Sequence, residues 1–319
     1  MDNCFAALPG VYAGKSREAK RGISVSRTAK ENLIRFFFLL TAMVSVVSLG
    51  LIVVYLFNEG LPLFKNVSVS DFLLGRFWYP TSDPPEFGIF PLIVASLSVT
   101  ALSSFFAIPL GVMTAVYLAE IATPRMRGIF KPLVELLAAL PSVVIGFFGM
   151  VVVAPFLEDV FDLPTGLNLF NASVMLAFMS VPTICSVSED AIFAVPRELK
   201  EASLALGATH WETIRRVVLP ASLSGVSTAV ILGMSRAIGE TIVVLMVAGG
   251  AAMIPVSVFS PVRPMPSSIA AEMAEAPFRS QHYRALFAIG VVLFLFTLIF
   301  NVIAQHIAEK HKQTGAATL

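Results

Sequence analysis

The sequence predicts an all-α integral membrane protein with six transmembrane helices, and three observations lead there. Apolar residues make up 56% of the 319-residue chain, while Asp, Glu, Lys and Arg make up 13%; a soluble domain carries about 25% charged residues. Mean hydropathy is +0.83. The apolar residues fall in long unbroken runs of the length, roughly 20 residues, that a helix needs to cross a bilayer core, and not in the alternating segments of about ten residues that mark barrel strands. The formal net charge of +1 excludes a polyanion binder that works by bulk charge, so lipid and not nucleic acid is the expected surrounding. Two cysteines, Cys4 and Cys185, and four histidines without ligand spacing build neither a disulfide framework nor a metal centre.

Residues 1–35 form a basic segment with seven Lys and Arg, and residues 1–30 of it read as a mobile tail. The first span, Phe36–Phe57, is uncharged and carries no small-residue cleavage site, so it reads as an uncleaved anchor. Gly10–Ser16 approaches a phosphate-binding loop, but the motif needs four residues between its glycines and a strand in front; here there are three and no strand. ATP is therefore expected on another chain. Gly88–Ala119, Leu136–Leu157 and Leu163–Ser188 follow as uncharged spans. A fifth span, about Ala221–Ala248, is interrupted by Arg236 and Glu240, and Ala285–Gln305 is the sixth. The six-helix region covers 36–307, with a short tail at 308–319. No internal repeat is visible.

Lys and Arg fall unevenly between the connections. Segments on the side of the tails hold 16 of them, against 5 on the other side. Positive charge stays inside, so both termini are expected in the cytoplasm. The external connection 58–87 carries Phe77, Trp78 and Tyr79 beside Pro80, which suits interfacial anchoring or, alternatively, docking of a soluble partner, and its prolines favour a rigid turn over a helix. Glu158, Asp159 and Asp162 read as a solvated turn.

The cytoplasmic connection at about 189–220 is the most structured polar segment. Pro196 suits a first helical turn, Glu198 and Glu201 suit the positive end of its dipole, and Gly207 stops it near Leu206. Thr209 and Glu212 have capping-box spacing for a second helix, expected to end at Leu219-Pro220. Two short helices hinged at a glycine, with small residues Ala202, Ser203 and Ala205, make a knob suited to a groove. Glu201-Ala202-Ser203, then Gly207, then Leu219-Pro220 after nine further residues and Val217-Val218, resembles the EAA loop of bacterial ABC importer permeases. Ser203 and Val217 depart from that pattern by mild, size-matched changes. The resemblance implies that this loop is the coupling helix seated in a cleft of a cytoplasmic ATPase.

Arg236 lies about 24 Å beyond Pro220 along a helix, deep in the hydrocarbon layer, where an arginine costs at least about 2.5 kcal/mol. Glu240 is four residues on, so the two are expected to pair on one helix face. Two readings stand: a structural ion pair, or an arginine that meets an anion in the pathway while Glu240 holds it and limits trapping. Ser235–Thr241, with Met246–Gly249, resembles the signature of phosphate-transport permeases. Asp83–Gly88, Lys131–Leu136 with Pro141–Val144, and Ser188–Ala191 with Val195-Pro196 resemble the PstC branch, although the PstA sister subunit shares the run around Arg236. The resemblance implies a machine of one PstC-like and one PstA-like permease, two PstB-like ATPases holding ATP and magnesium, and a periplasmic PstS-like phosphate-binding protein, all at the bacterial inner membrane.

Alternatives remain open at this stage. One arginine does not discriminate phosphate from molybdate or sulfate. An ion-coupled secondary carrier would use Arg236 and Glu240 as a gate but needs no docking knob. A membrane enzyme needs a catalytic cluster, and no histidine–carboxylate constellation falls within the spans, so no residue is given a catalytic role.

Overall fold

The computed structural model describes residues 15–316, with side chains described over 30–306. Cys4 and residues 10–14 of the near phosphate-loop motif lie outside the described residues. Contacts divide the chain into two units, residues 1–55 and 56–319. The first unit is helical from Lys15, within α1 (Lys15–Gly60). The basic segment is helix from Lys15 onward. Once the apolar run has formed a helix, each added residue gains a bond without a new nucleation step.

The second unit contains the remaining elements in the order α2 (Val69–Leu74), β1 (Trp78–Tyr79), β2 (Glu86–Phe87), α3 (Phe90–Val116), α4 (Pro124–Ala138), α5 (Ser142–Phe148), α6 (Ala154–Phe161), α7 (Leu169–Phe193), α8 (Arg197–Ala205), α9 (His210–Thr213), α10 (Leu219–Gly239), α11 (Ile242–Val247), α12 (Met265–Glu272) and α13 (Gln281–Ala316). A 3-10 turn covers Leu61–Lys65, and π turns cover Tyr117–Ile121, Gly149–Val153 and Ile214–Val218. Among the described residues, six helical stretches are long and apolar enough to cross a membrane: Lys30–Lys65, Phe90–Ile121, Ser142–Phe161, Leu169–Phe193, His210–Gly239 and Gln281–His306.

Three expected boundaries move. The third span begins at Ser142, because Pro141 forces Leu140 out of helical geometry and leaves Leu136 within α4. The fourth begins at Leu169: Asp162, left-handed at φ 51°, ends α6, and the Asn168 side chain caps α7 by accepting from the Asn171 N–H at 3.0 Å. The fifth is continuous through the Ile214–Val218 turn from His210, so Pro220 lies within a helix and does not end one. Thr209 and Glu212 do form the capping box of α9.

The helix α7 is the centre of the unit, packed most extensively on α3 and then α10. Ile184 of α7 lies against both neighbours at glycines. A Cβ at Gly111 of α3 would stand 2.8 Å from the Ile184 side chain, and one at Gly233 of α10 would stand 2.5 Å from it. No larger residue fits either place while the helices stay this close. One end of the unit gathers Leu63, Phe72, Trp78, Phe87, Ile89 and Leu92 against Met265, Leu286 and Ile289. The antiparallel strands β1 and β2 pair Trp78 with Phe87 and Tyr79 with Glu86. Trp78 is not the interfacial anchor expected from sequence. It is buried, and its indole N–H donates to both carboxylate oxygens of Glu272 at 3.0 Å, while Phe77 and Tyr79 remain exposed.

Candidate functional site

The connection after the fifth span is not the continuous helix that the sequence suggests. Helix α10 ends at Gly239, and Glu240 is extended at φ −69°, ψ 128°. The chain then forms α11, six residues whose Val243, Val244 and Val247 are buried against α3, α5 and α7 residues such as Val99, Ile145 and Met175. A span that breaks into a buried half-helix is tolerated in a membrane where protein surrounds the freed backbone groups.

This break undoes the expected pairing of Arg236 with Glu240. Residues four apart face each other only while the helix continues. Here the Glu240 carboxylate turns to accept from the Val243 N–H at 3.3 Å, so it caps α11. No ion pair joins Arg236 to Glu240 among the described residues, and Arg236 is exposed in the last turn of α10. Its neighbour Ser235 donates to Asn301 Oδ1 of α13 at 2.5 Å, which fixes that turn against the last span.

The second candidate region is α8 and the turn after it. Glu198 sits in the first turn, as its dipole favours. The helix closes in a Schellman arrangement, with Gly207 N–H bonded to Leu204 O at 2.9 Å and Ala208 N–H to Ser203 O at 3.3 Å. Gly207 has φ +87°, a conformation that side chains resist. Glu201, Ala202, Leu204 and Leu206 are exposed, Leu206 at 90%, and Trp211 is exposed at 62%. Ser203 is half-buried and shares a 3.0 Å hydrogen bond with Thr213 at the foot of the fifth span. Leu219 is half-buried and Pro220 exposed, 17 and 16 residues before Arg236, so α8 and the break are separate places on the chain.

Three ion-paired carboxylates, Glu189 buried and Glu120 and Glu272 partly buried, organise the ends of the unit, and the sequence reading assigned none of them a role. Glu189, 1% exposed at the end of α7, accepts from Arg127 at 2.7 Å and pairs with Lys131 at 3.2 Å, both on α4. Arg127 also lies 4.5 Å from the centre of the Phe193 ring. Burial alone would lower the Lys131 ammonium, but the hydrogen bond and charge of Glu189, helped by Asp190 and opposed by Arg127, raise it above the ordinary lysine value. Glu120, on the Tyr117–Ile121 turn, pairs with Lys200 of α8 at 2.5 Å. At the hairpin end Glu272 receives Trp78, Arg263 at 2.5 Å and His282 at 2.8 Å, and Arg263 Nε donates to Gly250 O at 2.7 Å. The available signal was an acid flanking an apolar run, as at Glu120 after Ala119 and Glu189 after Ser188.

Comparison with known proteins fits this architecture. Residues 107–313 match the family described as binding-protein-dependent transport system inner membrane component. The chain is 36% identical over 273 residues to the probable ABC transporter permease protein YqgH of Bacillus subtilis, covering 85% of this chain and 88% of that protein. It is 32% identical to the phosphate transport system permease protein PstC of Mesorhizobium japonicum, covering 86% of this chain and 89% of that one. In fold it is similar to a bacterial ABC transporter involved in alginate import, with TM-score 0.61 at 15% identity, covering 89% of this chain and 99% of that one. The exposed apolar spans, the α8 loop and these relatives agree that the chain belongs to the binding-protein-dependent transport system inner membrane components, as a multi-pass permease subunit of an ABC importer and a transport subunit rather than an enzyme.

Proposed function

We propose that this permease is the PstC-type half of an ATP-driven importer of inorganic phosphate. The observation that carries the reading is Arg236, a guanidinium exposed in the last turn of a span, beside a helix break, with no ion pair to Glu240 among the described residues. An arginine in hydrocarbon costs at least about 2.5 kcal/mol, so such a side chain belongs in a polar path. Its planar fork matches a tetrahedral oxyanion better than an ammonium does. Relatives named phosphate transport system permease protein PstC support phosphate as that oxyanion. Glu240 beside the break limits how tightly a passing anion is held. The bracing alternative needs an Arg236–Glu240 ion pair, which this geometry does not supply.

The exposed face of α8 fits a partner groove. Glu201 and Ala202 meet an ATPase chain of the PstB kind, Ser203 ties the helix to Thr213 behind that face, Gly207 shapes the turn, and Leu219 with Pro220 lies within the fifth span that carries the loop. ATP and magnesium reside on that ATPase. A PstA-like permease completes the pathway, and a periplasmic PstS-like protein delivers phosphate. Both termini lie in the cytoplasm, on the side with 16 of the Lys and Arg against 5.

Phosphate uptake and the amount of assembled complex, measured together, test the role of Arg236. Replacing both residues, as Arg236→Leu/Glu240→Leu, removes two desolvation costs, so the protein assembles but moves no phosphate. Arg236→Lys keeps the charge, loses the fork and is impaired. A double variant that transports normally would refute the substrate-contact role.

A further inference from the structure

The helix α8 is fastened to the rest of the chain at two places that are not its neighbours in sequence on the α7 side. At one, Lys200 Nζ lies 2.5 Å from Glu120 Oε1, with Glu120 only 8% exposed and Lys200 22%. The adjacent Leu199 packs on the apolar cluster of Ala115, Leu118, Ile192 and Val195. At the other, Ser203 and Thr213 share a hydrogen bond of 3.0 Å. Both anchors stand at π turns: Glu120 is within Tyr117–Ile121, and Thr213 immediately precedes Ile214–Val218. Such turns interrupt the regular bond ladder and concentrate at functional places in helices.

A charged pair so largely withdrawn from solvent is a costly way to hold two elements together; apolar side chains of similar size would do it as well. What it adds is direction and fixed length. We infer that Lys200–Glu120 is a strut that delivers displacement of α8 to the second span. Without it, α8 is joined to the fourth span through Val195-Pro196 and to the fifth through Ser203, Thr213 and the chain itself, and it meets the second only through the non-directional apolar packing of Leu199. With it, one push at α8 reaches three spans, and the second enters at its π turn. Lys200 and Glu120 are positioning residues here: neither meets substrate or nucleotide. The inference rests on the proposed docking of α8 in an ATPase.

The test uses the whole complex, purified with its ATPase, reconstituted in vesicles and supplied with its phosphate-binding protein. Phosphate moved and ATP hydrolysed are measured in the same sample. Lys200→Gln and Glu120→Gln each keep a hydrogen-bonding group and lose the charge. Each is expected to hydrolyse ATP near the normal rate while phosphate moved per ATP falls at least about fivefold, within the usual span of coupling free energies. The exchanged pair Glu120→Lys/Lys200→Glu restores at least about half of that ratio, as a pairwise interaction requires. An unchanged ratio in the single variants overturns the strut, as does failure of Lys200→Gln to assemble, which would mark the pair as a brace. The docking reading is checked separately by thiol cross-linking from Glu201→Cys to the ATPase. Absence of that cross-link refutes docking itself, whereas a cross-link with an unchanged ratio refutes the strut alone.

Discussion

Gly207 stands at φ +87° with open space where a side chain would project, so backbone conformation rather than crowding decides what it accepts. Asparagine visits left-handed geometry far more readily than alanine, and a β-branched residue resists it most. Uptake per assembled complex should therefore fall in the order Gly207→Asn, Gly207→Ala, Gly207→Val, with the valine variant still inserted in the membrane. Equal activity in the asparagine and valine variants would show that the turn is not the reason for glycine here. Gly207 and the Thr209–Glu212 cap were legible because each is decided within five residues of chain. Arg236 and Glu240 were legible as unusual residues but not as partners. Their relation depends on Glu240 leaving the helix, which its buried companion α11 decides. Trp78 was misread for the same kind of reason: Glu272, which takes its N–H, lies 194 positions away.

At the scale of elements, apolar run length revealed every span and misplaced several ends. Pro141 marks the start of α5, but the hydrophobicity of Leu136–Leu140 runs unbroken into it and masks that signal. Gly239 offered a comparable signal before the α11 break. The helix α4 was invisible as an element, because its attachment is two cations on one buried carboxylate, Arg127 and Lys131 on Glu189. That attachment has a pH signature. The Lys131 value is raised on folding, so its contribution is fully present below the unfolded lysine value of about 10.4 and is lost only as pH rises through the higher folded value. Proteolysis of the α4 connection in the intact complex should thus be unchanged between neutral and mildly alkaline pH and should increase only in stronger alkali. Onset of cleavage near neutrality would show that Lys131 does not hold α4.

For the whole molecule, the distribution of Lys and Arg over six spans predicts an orientation with both termini in the cytoplasm. A reporter after Leu319 should be active only in the cytoplasm, and one inserted near Asp83 only outside; the opposite result at either place removes a span from the count. The six spans and the family were readable from composition and short motifs, since those depend on solvent and local pattern. The broken fifth span and the three carboxylate clusters were not, since each exists only after distant segments meet. Ile184 shows what such meetings impose. Its side chain is seated against Gly111 and Gly233, so a larger residue at either place would push α3 or α10 away from α7. The close approach of these three central helices therefore depends on two side chains that are absent.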